Sequence, residues 1–224
     1  VLFPNLRRYD GHLLMQHVGK FANKHGYRLE CVPKTSEDYL TFSLIGPDKF
    51  RIRFLDTCLF LNSSLEKLVQ ILAKDGVQKF PILSRNITSN LNLIMRKGIF
   101  PYEYMDSPKK FDETSLPPKK AFYSSLSQET VSDSDYSHAQ DVWRAFDIKN
   151  LGEYQDLYVL TDTLLLADVF QNFRHFAYDN YHLDPCHFIT LPSFGWAACL
   201  LCTNVRLELI GDEEMYKFFE NGIR

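Results

Sequence analysis

The segment from residue 151 to residue 181 constrains the fold of this chain more than any other. Its apolar residues recur at helical spacing, which predicts one long helix with a buried face. Asp162 interrupts the apolar run, and a carboxylate at such a position is costly unless it is paired or bound to a metal. Asp168 lies about 240° around the helix from Asp162, so we expect it to face solvent. The predicted buried face carries Leu157, Leu160, Leu164, Ala167, Phe170 and Phe176.

The remainder of the chain mixes strands and helices. Short strands are predicted at 1–3, 28–32, 40–45 and 50–55, the last two joined as a hairpin by the turn at 46–49. Helices are predicted at 11–23, 64–74, 86–96, 136–146, 194–203 and 212–221. The fold class is therefore α/β, of the mixed α+β kind. Residues 101–135 are rich in proline and then in serine, which predicts a long loop that is functional or mobile.

Composition excludes several classes of protein. Hydrophobic residues at 45% and charged residues at 24% are typical of globular domains and argue against disorder. A net charge of −3 excludes a generically basic protein that coats nucleic acid, but it allows an enzyme with a local basic surface. No window approaches 18 unbroken apolar residues, so no membrane span is expected. Five cysteines at irregular spacing argue against a secreted disulfide framework, so we expect an intracellular protein.

Two acidic motifs are candidates for chemistry. The first runs from Asn5 to Tyr9 and Asp10 at the exit of a strand, where α/β folds place ligands, although Asp10 could instead cap the helix that follows. The second is Tyr158 and Asp162, four residues apart, which places both on one helix face one turn apart. Taken alone, this second pair more often forms a surface hydrogen bond than a catalytic pair.

In order and spacing, these motifs resemble the 3′–5′ exonuclease domain of protein-primed family B DNA polymerases. Members of this family occur in small phages, linear plasmids, adenovirus-like viruses and Polinton/Maverick transposons. Asn5-x-x-x-Tyr9-Asp10 is similar to the family's second exonuclease motif, and Tyr158-x-x-x-Asp162 is similar to the third. Further similarity, closest to the Polinton and large-virus branch, lies in Lys97-Gly98 with Tyr102, Asp56-Thr57, Phe100–Met105, Leu116–Pro118, Phe122–Ser124, Asp135-Tyr136, Val142-Trp143, Leu166–Phe170, Leu183–Pro185 and Gly222–Arg224.

The resemblance implies a role for each motif residue. Asp10 and Asp162 would help to hold two Mg²⁺ or Mn²⁺ ions, which hydrolyse a phosphodiester when they lie about 3.5–4 Å apart. Tyr158 would orient the attacking water, and Lys97 would offset charge on the scissile phosphate. Lys97 could instead be a solvated charge at a helix end with Gly98 after it, and Tyr102 could be a core tyrosine with a wet hydroxyl. The residues that would hold the single-stranded 3′ end are Asn5, Tyr9, Thr57 and Tyr102.

The resemblance also implies a fold and a larger parent protein. Residues 1–183 would form a ribonuclease-H-like exonuclease domain truncated at its N-terminus, and residues 184–224 would begin the polymerase domain with helices leading into its palm. Both ends look cut from a longer chain, with the first exonuclease motif before Val1 and the palm aspartates after Arg224. Two positions depart from the family pattern, because Pro4 replaces a usual histidine and Cys58 replaces a usual leucine.

The expected activity is templated DNA synthesis with proofreading, and residues 1–224 alone should do neither at full rate. The parent would bind primer-template DNA, deoxynucleotides and a terminal protein that serves as primer. Two alternatives stay open: a non-catalytic single-stranded-DNA-binding relic that binds no metal, and a stand-alone exonuclease. Cys199-x-x-Cys202 with Cys186-His187 has ligand atoms for zinc, but the CxxC pair lies in an apolar helical segment, which favours buried thiols instead.

Overall fold

Four strands form a mixed sheet at the N-terminal end of the chain. The computed structural model describes residues 1–6, 9–35, 38–48 and 50–222, and of Tyr9 it describes the backbone only. The strands are β1 (Leu2–Phe3), β2 (Arg28–Pro33), β3 (Tyr39–Ile45) and β4 (Arg51–Asp56), in the spatial order β1-β4-β3-β2. The helices in the described residues are α1 (Tyr9–His25), α2 (Leu65–Ala73), α3 (Pro81–Asn86), α4 (Leu91–Ile94), α5 (Asp133–Ala145), α6 (Leu151–Tyr181), α7 (Leu191–Thr203) and α8 (Glu213–Gly222). The predicted mixed α/β class is confirmed.

The predicted hairpin is the centre of the sheet. β3 and β4 pair antiparallel from Thr41 opposite Leu55 to Ile45 opposite Arg51, and the turn closes with a 2.8 Å hydrogen bond from Gly46 N–H to the carbonyl of Phe50. β2 continues the sheet antiparallel to β3, and α1 packs against both strands. The connection that α1 makes between β1 and β2 therefore carries the chain from one edge of the sheet to the other.

β1 is the short edge strand that leads to the candidate site. It lies parallel to β4, with Leu2 opposite Leu55 and Phe3 opposite Asp56. The N-terminal amine donates to the Arg53 carbonyl at 2.7 Å, and Leu55 N–H donates to the Val1 carbonyl at 2.9 Å. Because parallel strands end at the same edge of a sheet, β1 and β4 place Phe3 and Asp56 side by side.

The long helix α6 is confirmed with the predicted bounds, and it contributes to two hydrophobic clusters. Leu151 and Tyr154 join one cluster with α5, whereas Leu164, Leu165 and Val169 join another with α2, α3 and α4. The predicted buried face is only partly correct, because Leu160 and Phe176 are exposed while Leu164 and Phe170 are buried. The buried stripe moves around the helix because different elements cover successive parts of its length.

Asp168 contradicts the prediction that it is solvated. Its side chain is fully buried, and its two carboxylate oxygens accept hydrogen bonds from the backbone N–H groups of Ile82 at 2.9 Å and Leu83 at 2.8 Å. Burial raises the pKa of the Asp168 carboxyl, and the two N–H donors oppose that rise. The carboxylate therefore satisfies the first turn of α3, which has no side-chain cap of its own.

The helix predicted at 86–96 is wrong in its bounds. α3 ends at Asn86, and the four-residue α4 begins only after Asn90. Asn90 has φ 55° and ψ 31°, a left-handed conformation that a continuous helix cannot contain. Its side-chain amide donates to the Ala145 carbonyl at 2.9 Å, so this break is fixed by α5.

The loop predicted at 101–135 ends at residue 132, because α5 begins at Asp133, and it consists largely of short 3₁₀ turns, of which Pro108–Asp112 packs against α6. The turns are Tyr102–Tyr104, Pro108–Asp112 and Lys119–Phe122. The Tyr104 hydroxyl donates to both oxygens of Glu113, and the Lys110 ammonium lies 3.7 Å from the Tyr104 ring centre. This segment is therefore tied down through polar contacts and helical turns without regular secondary structure of any length.

The C-terminal part leaves apolar side chains uncovered. α7 packs on α6 through Phe173 and Phe194, whose ring centres lie 6.1 Å apart. Residues 201–222 are exposed throughout, and α8 presents Met215, Phe218 and Phe219 to solvent. The predicted domain boundary at residue 183 stays a prediction. None of the described helices is long and apolar enough to span a membrane.

Replacing Asp168 by alanine should destabilise the fold. The free energy of unfolding is expected to fall by about 3 kcal/mol, because two buried N–H groups lose a charged acceptor. Urea denaturation measures the change. Asp156→Ala is the matched control, since Asp156 is exposed on the same helix. Equal effects from the two substitutions would contradict the role assigned to Asp168.

Candidate functional site

A cleft of about 570 Å³ opens between the end of β1 and the middle of α6, and we call it the β1–α6 cleft. Three of the predicted site residues, Thr57, Lys97 and Asp162, line it together. They come from three separate parts of the chain, so the fold brings them together. The other lining residues are Val1, Leu2, Phe3, Pro4, Cys58, Leu61, Ser63, Ser64, Leu65, Leu68, Thr163 and Leu166.

Asp162 is the unusual charge in this cleft. Its Oδ1 atom is buried and accepts no hydrogen bond from the described residues. Burial raises the pKa of the Asp162 carboxyl, whereas the positive charge of Lys97 and the hydroxyl of Tyr158 lower it. A buried carboxylate oxygen without a donor is energetically costly unless a ligand compensates it.

Tyr158 lies one helical turn before Asp162, as the spacing predicts. Its hydroxyl is 2.7 Å from the hydroxyl of Tyr102. Burial raises the pKa of the Tyr158 phenol far above its usual range, and the hydrogen bond with Tyr102 and the charge of Asp162 raise it further. Tyr158 is therefore a neutral hydroxyl at physiological pH, suited to orienting a water and unsuited to acting as a base.

Lys97 and Gly98 approach α6 from the segment that follows α4. A Cβ atom on Gly98 would lie 3.2 Å from Cδ2 of Tyr158, so glycine permits the close approach. α4 ends at Ile94, and φ of Gly98 is not positive, so Lys97 and Gly98 do not form the glycine-terminated helix end considered as an alternative. The segment instead brings Lys97 to the cleft beside Asp162.

Tyr102 is 67% exposed and presents its ring beside Tyr158. The two ring centres lie 6.2 Å apart in a T-shaped arrangement, and Phe100 stacks on Tyr158 at 5.4 Å. Phe100 also stacks on the buried Tyr154, with ring centres 6.3 Å apart. Tyr102 is thus an exposed aromatic ring on a rigid aromatic support, rather than the core tyrosine considered as an alternative.

The strand ends on the other side of the cleft are organised by Asp56. Its fully buried carboxylate accepts hydrogen bonds from the backbone N–H groups of Asn5 and Cys58, each at 2.9 Å. Thr57 is buried, and its hydroxyl donates to the Phe3 carbonyl at 3.2 Å. Asn5 has φ 61°, a conformation that asparagine tolerates better than most residues, and its side chain is exposed. The DNA-binding roles of Asn5 and Thr57 stay predictions.

Asp10 lies in the first turn of α1, outside the residues that line the cleft. It is exposed and lies inside the helix, so it interacts with the helix dipole and does not occupy the cap position. The neighbouring Gly11 is required because a Cβ there would lie 2.6 Å from the Leu6 carbonyl oxygen. The side chain of Tyr9 lies outside the described residues. That Asp10 and Asp162 share a metal cluster stays a prediction.

Two residues that shape the site, Asp56 and Phe100, are not among the site residues predicted from the sequence. Asp56 was considered only as part of a DNA-binding motif, although an aspartate directly before a tight turn is itself a signal for capping. Phe100 was noted only for its resemblance, and no sequence periodicity places it against Tyr154 and Tyr158. Its position comes from tertiary packing alone.

The described residues contain no group of three His, Cys, Asp or Glu side chains that could hold a metal. Cys199 and Cys202 are free and exposed on α7, so the prediction that these thiols are buried is wrong. Cys186 is half-buried, where its N–H donates to Asp184 at 2.9 Å. Among the described residues that line the cleft, Asp162 is the one with a carboxylate, and its buried Oδ1 accepts no hydrogen bond.

No family model, curated protein or solved structure matches this chain. The residues of the β1–α6 cleft and the resemblance of the sequence motifs therefore indicate the function.

Asp162→Asn should stabilise the fold in a metal-free buffer. A raised folded-state pKa favours the protonated carboxyl, so its contribution to stability is present at low pH and is lost as pH rises through that pKa. The advantage of the variant over the native chain should therefore be small near pH 3.5 and grow to on the order of 1 kcal/mol at pH 7. Urea denaturation in EDTA across this range measures it. If Asp162→Asn is instead less stable than the native chain at pH 7, the Oδ1 atom of Asp162 is not unpartnered in the folded protein.

Proposed function

We propose that this chain is part of the 3′–5′ exonuclease domain of a protein-primed family B DNA polymerase, together with the beginning of the polymerase domain. The observation that carries the proposal is the unpartnered Oδ1 of Asp162 in a cleft shared with Lys97. A fold keeps a buried carboxylate oxygen without donors where something else binds it, and a hard divalent cation is the fitting ligand. A purely structural carboxylate would be satisfied, as Asp168 is.

The cleft residues Asp162 and Lys97, with Tyr158 and Asp10 outside the cleft lining, fit phosphodiester hydrolysis. Two divalent cations in such a site supply an activated water and stabilise the leaving oxygen. Asp162 would hold one of these ions, and Asp10 would hold the other with acidic residues upstream of Val1. The neutral hydroxyl of Tyr158 would accept a hydrogen bond from the attacking water and orient it. Lys97 would place its positive charge near the scissile phosphate, where negative charge grows in the transition state.

The surroundings of the cleft fit a frayed single strand as substrate. The exposed ring of Tyr102 offers a stacking surface, and such stacking contributes about 1–3 kcal/mol per base. Thr57 lines the opposite side of the cleft after β4, and Asn5 follows the cleft residue Pro4 after β1. Because stacking and phosphate contacts do not distinguish bases, the expected substrate is any 3′ end that leaves its duplex.

Two further features support the larger assignment. The mixed sheet, with β1 parallel to β4 and a helix connecting strands at its two edges, is compatible with a ribonuclease-H-like domain. The exposed apolar residues of α8 would be covered by the polymerase domain. That domain would bind primer-template DNA and deoxynucleotides, and the terminal protein would be its primer.

Exonuclease assays on the full reading frame that contains residues 1–224 test the proposal. A 5′-labelled single strand should be shortened from its 3′ end only when Mg²⁺ or Mn²⁺ is present. Asp162→Ala and Asp10→Ala should each lower this rate roughly 100-fold or more while templated synthesis continues. Asp156→Ala, an exposed change on α6, is the control that should keep both activities. Full exonuclease activity in Asp162→Ala would overturn the proposal.

The exposed ring of Tyr102 and the positive charge of Lys97 in the cleft also support a second candidate, a non-catalytic single-stranded-DNA-binding protein. Such a protein would bind DNA in a salt-dependent manner, with no response to Mg²⁺ or Mn²⁺. Fluorescence anisotropy with a labelled strand, with and without Mn²⁺, separates the two functions. Metal-dependent shortening without any DNA synthesis would instead identify a stand-alone exonuclease.

A further inference from the structure

The contact between Tyr102 and Tyr158 joins two parts of the chain that are 56 residues apart, through hydroxyl oxygens separated by 2.7 Å. Tyr158 is held in place independently of this contact, because Phe100 stacks on its ring and Gly98 lies against its edge. Tyr102 contacts the rings of Phe100 and Tyr158 but is otherwise open to solvent. The hydroxyl pair is thus the polar link between an exposed ring and the half-buried Tyr158.

The direction of this hydrogen bond follows from the groups around it. A phenol has one proton to donate and can accept at its oxygen, whereas an ionised carboxylate can only accept. The Tyr158 hydroxyl lies 2.7 Å from that of Tyr102, and the Asp162 carboxylate follows one helical turn later on the same face of α6. If the proton of Tyr158 is directed to Asp162, the proton between the two tyrosines must come from Tyr102.

We propose that Tyr102 is a positioning residue for hydrolysis, whose hydroxyl donates to Tyr158 and thereby directs the proton of Tyr158 to Asp162. The remaining lone pair of the Tyr158 oxygen is then free to accept a hydrogen bond from the attacking water. This inference rests on the proposed exonuclease function. It gives Tyr102 two separable tasks, since its ring stacks on a base and its hydroxyl orders the hydroxyl of Tyr158.

The arrangement also links strand binding to catalysis. Tyr102 is the exposed member of the pair, so a base stacked on its ring would restrict the ring and fix its hydroxyl toward Tyr158. The chain Tyr102–Tyr158–Asp162 is therefore best ordered when a 3′ end occupies the cleft. Without a bound DNA strand, the same residues are present, but the Tyr158 hydroxyl that would bind the water is less ordered.

Steady-state exonuclease kinetics on the full reading frame separate the two tasks. Tyr102→Phe keeps the ring and removes the hydroxyl, so kcat should fall about tenfold, equivalent to one hydrogen bond, with KM unchanged. Tyr102→Leu removes the aromatic ring as well, so KM should also rise. Tyr123→Phe, at an exposed tyrosine of the same segment, is the control and should match the native enzyme. An unchanged kcat in Tyr102→Phe would overturn the inference.

A second measurement does not depend on nuclease activity. With ¹³Cζ-labelled tyrosine in residues 1–224, the Tyr158 resonance, assigned through Tyr158→Phe, should shift in Tyr102→Phe and stay in place in Tyr123→Phe. An unmoved Tyr158 resonance would overturn the inference even if no nuclease activity is found. Failure of the proposed function has a different signature, namely a native enzyme without nuclease activity or an Asp162→Ala variant that keeps it.

Discussion

The packing of α6 against different elements along its 31 residues is the constraint on which the rest of the structure depends. Its first turns pack against α5 and the 101–135 segment, its middle against α2, α3 and α4, and its end against α7. Because these partners cover different sides, the rotation of the helix is fixed in each part. The side of α6 that carries Tyr158 and Asp162 is thereby directed to the segment with Lys97 and to the ends of β1 and β4.

Three aspartates with inward-facing carboxylate oxygens show what is special about the cleft. Asp168 binds two N–H groups at the start of α3, and Asp56 binds those of Asn5 and Cys58 at the strand ends. Both carboxylates replace lost hydration with backbone donors and hold elements together. Asp162 has a buried oxygen that receives no such donor, although its neighbours Lys97 and Tyr158 partly compensate its charge. The contrast is the physical argument for a ligand at Asp162.

Local patterns in the sequence predicted local structure well. The hairpin follows from alternating apolar residues around a Gly-Pro turn, and α2 begins where Ser64 caps it by accepting from Lys67 N–H. The burial of Asp168 could not be predicted, because its partners lie 85 and 86 residues earlier in the chain. The exposed side of α6 could not be predicted either. Apolar residues surround much of the helix, so its periodicity selects no single face.

For the candidate site too, one part could be predicted from the sequence and the other could not. The spacing of Tyr158 and Asp162 placed them on one helix face without further information, as a helix requires. The approach of Lys97 and Tyr102 to that face was expected from the resemblance and depends on the path of the 97–104 segment, which no periodicity encodes. The aromatic support from Phe100 and the capping by Asp56 arise from tertiary contacts and became visible only in the structure.

The most direct test of the central claim is a crystal structure with Mn²⁺ and a short single strand, in which anomalous scattering locates the metal. We expect a peak about 2.1 Å from the Asp162 carboxylate, with the carboxylates of Asp10 and Asp162 within about 8 Å of each other. A strand bound in the β1–α6 cleft with no metal at Asp162, or with Asp10 on the opposite face of the molecule, would contradict it.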